Sequence, residues 1–251
     1  RGANALARML AQALEGNAAI TTAGDVALGV SLDEPPPGWR IANPQALKAT
    51  AAALLANEPV ALRVDSGDAG WLGGVGFQEG AARSIIVTHR VPGSDGNTLV
   101  YHPPVLALGV GCERGASAEE LEVLARETLA ANELSPDAVA AVVSLDLKSD
   151  EAAVHALAHA FGVPARFFDS GTLAREEHRL SRPSEIVRQA VGVAGVAEAA
   201  SLACAGPEGR LIVAKTQSAR ATCAVALAPP DIDVRHAGRP RGQLLVVGIG
   251  P

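Results

Sequence analysis

A regular alternation of short apolar runs and amphipathic stretches begins after His102-Pro103-Pro104 and constrains the fold more than any other feature. Its segments have strand length or helical period, in the order strand 105–110, helix 117–131, strand 139–145, helix 150–161, strand 165–168, helices near 184–191 and 195–205, and strands 210–214 and 221–228. Because strands separated by helices usually pair in parallel, this order predicts an α/β domain with a mostly parallel, helix-covered sheet. The polar stretch 215–220 is expected to be a hairpin end or an exposed loop.

A small α/β region is predicted before this domain. Its expected elements are a helix over 45–56, a strand over 60–64, a glycine-rich span over 67–80 and a strand over 84–89, and a separate closing helix is expected over 3–14. Three consecutive prolines at 35–37 exclude both a helix and an internal strand. A connection is therefore expected at these prolines.

Composition excludes several classes of protein. A formal charge of −6 with 3% aromatic residues lacks the basic stripe and stacking residues of nucleic-acid-binding proteins. No apolar run approaches the ~20 residues of a membrane span, and the amino end lacks a signal pattern. Three widely separated cysteines predict neither a disulfide framework nor a zinc site. We therefore expect a globular cytoplasmic protein with no metal site, and with neither nucleic acid nor a membrane as partner.

The glycine-rich loop over 109–115 is the first candidate binding site. It leaves an apolar strand and enters a helix in which Ser117 and Glu120 have capping-box spacing. Free backbone N–H groups beside Arg114 at such a helix start predict binding of a carboxylate or phosphate. The alternative is that the glycines only form a tight turn. Their spacing fits neither a Walker loop nor a dinucleotide fingerprint, which disfavours a nicotinamide cofactor.

The loop over 144–151 follows the next predicted strand and is the second candidate site. Because carboxyl ends of neighbouring parallel strands form the ligand crevice of open α/β sheets, both loops are expected to border it. Asp146 or Glu151 can accept a proton, and Lys148 can bind a substrate carboxylate. The alternative is that Asp150 and Glu151 only stabilise the start of the following helix.

Cysteine and histidine side chains are weaker candidates. Cys112 is expected to have a lowered pKa, because a helix start and the neighbouring arginine favour its thiolate, but no base lies nearby in the sequence. Cys204 and Cys223 occur in apolar patterns and are predicted to be core residues. His155 and His159 have a spacing that can bind metal, but both flank an apolar stripe and are interpreted as surface residues.

Five ordered segments resemble the carboxyl-terminal domain of CbiG, a cobalamin biosynthesis protein, which is also found as CobE. They are GVGCERG at 109–115, SLDLK at 144–148, RPSE at 182–185, GV through VAEAA at 192–200, and Lys215 with ATCAVA at 221–226. Upstream, 1–7 and 20–25 resemble the end of the CbiG amino-terminal domain, and 43–65 resembles its middle region. Residues 244–251 resemble the first strand and glycine turn of the precorrin-3B C(17)-methyltransferase family, which uses S-adenosylmethionine.

The resemblance implies a domain organisation. Its expected parts are 1–25, a remnant of the CbiG amino-terminal domain; 26–103, the middle-like region; 104–230, the CbiG/CobE carboxyl-terminal domain; 231–243, a linker; and 244–251, the start of a methyltransferase domain. The intact product is then a hydrolase–methyltransferase fusion. No cofactor is expected in the present chain, since S-adenosylmethionine would belong to the downstream domain.

The resemblance also implies a function. CbiG opens the δ-lactone of cobalt-precorrin-5A with water and releases a two-carbon fragment as acetaldehyde, so a precorrin or cobalt-precorrin is the expected partner. Asp146 and Glu151 are the candidate catalytic residues. The candidate substrate-binding residues are Gly109, Gly111, Cys112, Arg114, Gly115, Lys148, Ser184, Lys215 and Ser218. The alternative is a CobE-like module that binds or delivers a precorrin without catalysis, which the small amino-terminal remnant favours.

Overall fold

Two compact units, Arg1–Pro104 and Val105–Pro251, make up the chain. The computed structural model describes residues 10, 11, 13, 14, 28–93 and 96–242. The predicted helix 3–14 and amino-terminal remnant 1–25 lie largely outside these residues, and the methyltransferase-like segment 244–251 lies wholly outside them. These three expectations stay predictions.

The first unit contains a four-stranded sheet. Its described elements are strands β1 (Arg40–Ile41), β2 (Val60–Val64), β3 (Arg83–Val87) and β4 (Thr98–His102), and helix α1 (Leu47–Leu55). The strand order is β1-β4-β3-β2; β2, β3 and β4 run parallel, and β1 is antiparallel to β4. The predicted helix and two strands are present, whereas β1 and β4 were not predicted.

Aromatic side chains centre the core of this unit. The ring of Trp71 packs edge to face against Trp39 and Tyr101, with ring centroids 5.7 and 5.4 Å apart. The Tyr101 hydroxyl donates a 2.6 Å hydrogen bond to the carbonyl oxygen of Leu32. Its polar atom therefore has a partner although the side chain is fully buried.

The second unit contains a five-stranded sheet. Its elements are β5 (Leu106–Cys112), α2 (Ala118–Ala131), β6 (Val139–Leu145), α3 (Ala152–Phe161), β7 (Ala165–Phe168), α4 (Ser170–Ala174), α5 (Glu185–Val191), α6 (Val196–Ala205), β8 (Arg210–Gln217) and β9 (Ala221–Leu227). The order is β7-β6-β5-β9-β8. Strands β5 to β7 are parallel, as the intervening helices predict, and the β8–β9 hairpin adds two antiparallel pairings. The α/β class is confirmed.

Helices cover both faces of this sheet. Along β5, Leu106 and Leu108 face a core formed with α2 and α3. Ala107 faces the opposite core, formed with α4 and α6. The alternation follows from the two-residue period of a strand, and apolar residues on both faces explain why the strands read as continuous apolar runs.

Helix α6 packs directly on β5 at Gly109. A Cβ atom at this position would overlap the carbonyl oxygen of Ala197 and lie 2.9 Å from Cβ of Ser201. Glycine is therefore required here for close packing of helix on strand. Gly109, one of the predicted ligand contacts, has this packing role in the structure.

Residues 228–242 pack against the rest of the second unit, although a linker was expected over 231–243. The backbone N–H groups of Phe167 and Arg239 each donate a 2.8 Å hydrogen bond to the other residue's carbonyl oxygen. Gly238 adopts φ +61°, and a Cβ atom there would lie 2.9 Å from the Phe167 carbonyl oxygen. Ile232 is buried in the core that lies between the sheet and helices α4 and α6. The segment thus covers the outer edge of β7.

Candidate functional site

A cavity of about 480 Å³ lies in the second unit, beyond the carboxyl ends of β5 and β6. The β8–β9 turn and helices α5 and α6 form its other walls. Its size is within the range of small-molecule sites, and its position is the one that open α/β sheets use for ligands. The cavity is therefore the candidate functional site of this unit.

One side of the cavity is apolar. It is formed by Leu145, Leu147, Val187, Val191 and Val196. Leu147 is 57% exposed although it is a large aliphatic residue. An exposed leucine that continues a buried apolar surface extends the area available to an apolar ligand.

Three cationic side chains also line the cavity: Lys148, Lys215 and Arg220. The Lys148 ammonium lies 3.8 Å from the Glu151 carboxylate, and Arg220 forms a 2.9 Å ion pair with Glu113. For the partly buried Lys215, the structure contains no ion pair with any carboxylate in the part of the chain that it describes. Lys215 therefore offers a positive charge to an anionic ligand.

An irregularity in β8 places Lys215 in the lining. Val213 pairs with Val225 and Thr216 with Cys223, so the register shifts between these pairs. Lys215 lies within the resulting bulge, a feature that re-aims side chains beside functional sites. The polar stretch 215–220 is the end of the β8–β9 hairpin, one of the two predicted alternatives; β8 continues to Gln217, beyond its predicted end at Ala214, and 218–220 form the turn.

The glycine-rich loop uses its backbone donors within the protein. Gly115, at φ +67°, donates its N–H to Oε1 of Glu151 at 2.9 Å. Glu113 donates its N–H to the carbonyl oxygen of Arg220 at 2.9 Å. The expectation of free N–H groups beside Arg114 is therefore corrected at these two positions: the anion that Gly115 binds is the protein's own carboxylate.

Glu151 connects the two candidate loops. It is 5% exposed, and its Oε2 accepts no hydrogen bond within the described residues, although Lys148 lies 3.8 Å away. Glu151 stands at the N-cap position of α3, but its side chain makes no capping hydrogen bond. Asp150 pairs with Arg114 at 3.1 Å, and that hydrogen bond lowers the pKa of Asp150.

The expectation of a low-pKa thiolate at Cys112 is wrong. Burial raises the pKa of this thiol, and the neighbouring charge of Glu151 raises it further. Lys148 and Arg220 act in the opposite direction but do not offset the burial. Cys204 and Cys223 are buried core residues, as predicted.

The β8–β9 turn is held by Glu120 of helix α2. Its carboxylate accepts hydrogen bonds from Oγ of Ser218 at 2.6 Å and from the N–H of Arg220 at 2.8 Å. These bonds lower the pKa of Glu120, with Ser218 as the main cause. Ser117 caps the helix as predicted, by accepting the N–H of Glu120 at 3.4 Å. The acidic residue of the capping-box pattern thus anchors a cavity wall.

The structure brings only part of the predicted site together. The predicted residues in the lining are Gly111, Cys112, Lys148, Lys215 and Ser218. The others lie outside it: Gly109, Arg114, Gly115, Asp146, Glu151 and Ser184. Asp146 is exposed, and Ser184 caps α5 by accepting the N–H of Val187 at 3.5 Å.

Sequence reasoning missed Arg220, Gln217 and the valines of α5, which also line the cavity. The polar run before β9 was a signal for the first two. For the valines, the sequence contains no local signal of their position.

The described residues carry neither a metal-ligand cluster nor a membrane-spanning helix. No group of three or more potential metal ligands is found in residues 28–93 and 96–242. Nε2 of His155 lies 2.8 Å from the carbonyl oxygen of Ser149, and His159 is exposed. In the same part of the chain, no helix is both long and apolar enough to cross a membrane.

These features define the second unit as an α/β domain with a cavity whose lining combines apolar side chains with cationic groups. The profile of the family "Cobalamin synthesis G C-terminus" matches residues 106–226, and that of "Cobalamin biosynthesis central region" matches residues 36–103. Protein CobE of Sinorhizobium sp is 49% identical over 121 residues, which cover 48% of this chain and 79% of that protein. The chain belongs to the CbiG/CobE family of cobalamin biosynthesis proteins.

Two further similarities are found. Cobalt-precorrin-5A hydrolase of Priestia megaterium is 29% identical over 252 residues, covering 92% of this chain and 67% of that protein. The crystal structure of CobE, a protein of the cobalamin biosynthetic pathway, is 37% identical and has a TM-score of 0.47, covering 49% of this chain and 89% of that one.

Proposed function

We propose that the protein is a CbiG-like hydrolase that opens the δ-lactone of cobalt-precorrin-5A with water and releases acetaldehyde. The proposal is supported by the extent of the likeness to cobalt-precorrin-5A hydrolase, which covers 92% of the chain. The likeness to CobE covers 48% of it. A chain that also carries the central region resembles the hydrolase over more of its length.

The substrate binds in the cavity of the second unit. The observation that carries this step is a lining that combines apolar side chains with a lysine that has no ion pair in the described residues. A tetrapyrrole has an apolar ring and peripheral carboxylates, so its ring packs against Val187, Val191 and Val196 while a carboxylate pairs with Lys215. The exposed Leu147 extends the surface that contacts the ring.

Lactone hydrolysis needs a proton acceptor for water and a donor for the carbonyl oxygen as it becomes negative. We assign the first role to Glu151, because its Oε2 accepts no hydrogen bond within the described residues and lies 3.8 Å from Lys148. Lys148 lines the cavity and is the donor. Asp146, the other proposed base, lies exposed outside the lining and is the weaker candidate.

One observation favours a CobE-like binding or delivery module instead. The lining contains one carboxylate among the described residues, Glu113, and Arg220 already pairs with it. The proposed base Glu151 does not line the cavity, and its Oε2 is buried. A cavity of this kind binds an anionic ring without necessarily activating water.

Incubation of the purified chain with cobalt-precorrin-5A separates these functions. Hydrolysis gives acetaldehyde, measured with alcohol dehydrogenase and NADH, together with the mass of the opened macrocycle. Glu151→Gln is expected to abolish acetaldehyde release while substrate still binds, and Asp146→Asn is the matched control. Binding without acetaldehyde in the wild-type protein supports the delivery module. If the macrocycle does not bind, both functions are excluded.

A further inference from the structure

Glu198 is a buried carboxylate that the proposed mechanism does not use. It lies on α6 and is 2% exposed. Its Oε2 accepts the N–H of Ser181 at 2.7 Å, and its Oε1 accepts the Ser181 hydroxyl at 2.5 Å and the N–H of Lys215 at 2.8 Å. One side chain therefore joins two segments that are far apart in sequence.

Each of these segments leads to a different wall of the cavity. Ser181 begins the stretch that continues into α5, whose Val187 and Val191 form part of the apolar surface. Lys215 lies in the bulge of β8 and supplies the cationic side. Helix α6 itself packs on β5 at Gly109, so the carboxylate is fixed relative to the sheet.

The hydrogen bonds hold Glu198 in its ionised form. Burial by itself raises the pKa of this carboxyl, but the hydrogen bonds from Ser181 and from the N–H groups of Lys215, Ser181 and Arg182 outweigh burial and lower it. A buried carboxylate with this many donors is satisfied and rigid rather than poised to transfer a proton.

We propose that Glu198 is a positioning residue that sets the distance between the apolar wall at α5 and the cation at Lys215. The inference rests on the proposed function, because that distance matters only if one ligand contacts both walls. It assigns Glu198 no contact with the ligand. Its effect on binding passes through the backbone of Ser181 and Lys215.

Glutamine at this position is a sharp test, because its amide has one acceptor oxygen and one donor NH₂ group. If the amide oxygen faces the N–H of Lys215, the NH₂ group faces the N–H of Ser181, and two donors meet there. In the reverse orientation, the NH₂ group faces the N–H of Lys215 instead. At least one of the two backbone N–H groups therefore loses its hydrogen bond in Glu198→Gln, although the Ser181 hydroxyl can still donate to the amide oxygen when that oxygen faces Lys215. In Glu198→Ala both segments lose their hydrogen bonds to this side chain.

Hydrogen exchange tests the positioning without any ligand. In Glu198→Ala, the amides of 181–182 and 214–216 are expected to exchange about tenfold faster or more, while those of β5 and β6 keep wild-type protection. The control is Glu208→Gln, the same loss of charge on an exposed residue between α6 and β8. Unchanged exchange in either segment, or faster exchange throughout the unit, overturns the inference.

Affinity for cobalt-precorrin-5A tests the consequence. Glu198→Gln and Glu198→Ala are expected to weaken binding about tenfold or more, while Glu208→Gln leaves it unchanged. Wild-type affinity in both Glu198 variants refutes the inference and leaves the proposed function intact. If wild-type protein does not bind, the proposed function fails and with it the ligand-spanning role of Glu198, whereas the exchange data still report the local anchoring.

Discussion

Lys215 is the side chain whose removal most directly tests the cavity. A bulge in β8 points it into the lining, and no carboxylate in the described residues pairs with it. We expect Lys215→Met to weaken binding of cobalt-precorrin-5A about 10- to 100-fold, because a charge-assisted contact contributes about 1.5–3 kcal/mol. Isothermal titration measures this change. Lys48→Met, on an exposed position of α1, is the matched control, and an equal loss in both variants would contradict a specific role.

Glu198 also predicts a pH dependence of stability. The pKa of Glu198 is lowered in the folded protein. Its contribution to the free energy of unfolding is therefore fully present at pH values above the ordinary pKa of 4.5 and is lost as the pH falls through the lower pKa of the folded state. The difference in unfolding free energy between wild type and Glu198→Gln is therefore expected to shrink on acidification below 4.5. Urea denaturation at several pH values measures it. A difference that stays constant with pH would refute the assignment.

For individual side chains, sequence reasoning identified the charged residues but not the groups with which they pair. Arg114 was expected to face a ligand anion, yet it pairs with Asp150, 36 positions later in the chain. The expected adjacency of β5 and β6 brings the two loops together, but which side chains then pair depends on side-chain geometry that no local pattern encodes. The same is true of Glu151 and Gly115. The thiol of Cys112 shows a second limit, because burial outweighs the nearby positive charges and depends on packing.

Among the elements, the contact of α6 with β5 is the most sensitive to substitution. Gly109→Ala would place a methyl group against the Ala197 carbonyl. Because a packed helix cannot move without loss of contacts, we expect destabilisation of about 3 kcal/mol. The free energy of unfolding in urea checks the value. At Gly242, no described atom beyond its chain neighbours lies within 4 Å of an added Cβ, so Gly242→Ala is expected to change the free energy of unfolding little. A similar loss at both positions would argue against tight packing as the cause.

Element prediction succeeded where periodicity is strong. The helices α2, α3 and α6 and the strands β5, β6 and β7 follow from apolar runs and helical spacing. Strand β8 was ended too early, because its bulges break the alternation on which strand prediction depends. The pairing of β9 with β5 could not be predicted from local patterns, since it is a choice of neighbour within the whole sheet.

For the whole molecule, the division into two units makes a separable prediction. All cavity-lining residues lie within the second unit. A piece spanning 105–242 is therefore expected to bind cobalt-precorrin-5A within about threefold of the full chain, but to lose acetaldehyde release if the central region is needed for hydrolysis. Calorimetry and the aldehyde assay measure the two properties. If the folded piece does not bind, the cavity needs the first unit.

The contact at Arg239 makes a prediction about association. Arg239→Pro removes the N–H that bonds to Phe167 on the edge of β7. An uncovered strand edge pairs readily with another chain, so we expect concentration-dependent self-association, measured by sedimentation velocity. Arg241→Pro, on an exposed residue nearby, is the control. Identical sedimentation of the two variants would contradict a protective role.

Because of the same contact, residues 228–242 prevent a further strand from pairing with the edge of β7. The free N–H and C=O groups of an edge strand can pair with a strand of another molecule, and they cannot do so where a segment of the same chain already bonds to them. The stretch after β9 does this with two hydrogen bonds and a glycine, without adding a sixth strand to the sheet. At this edge the domain is protected from strand pairing between molecules, because a segment of its own chain occupies the position of the next strand.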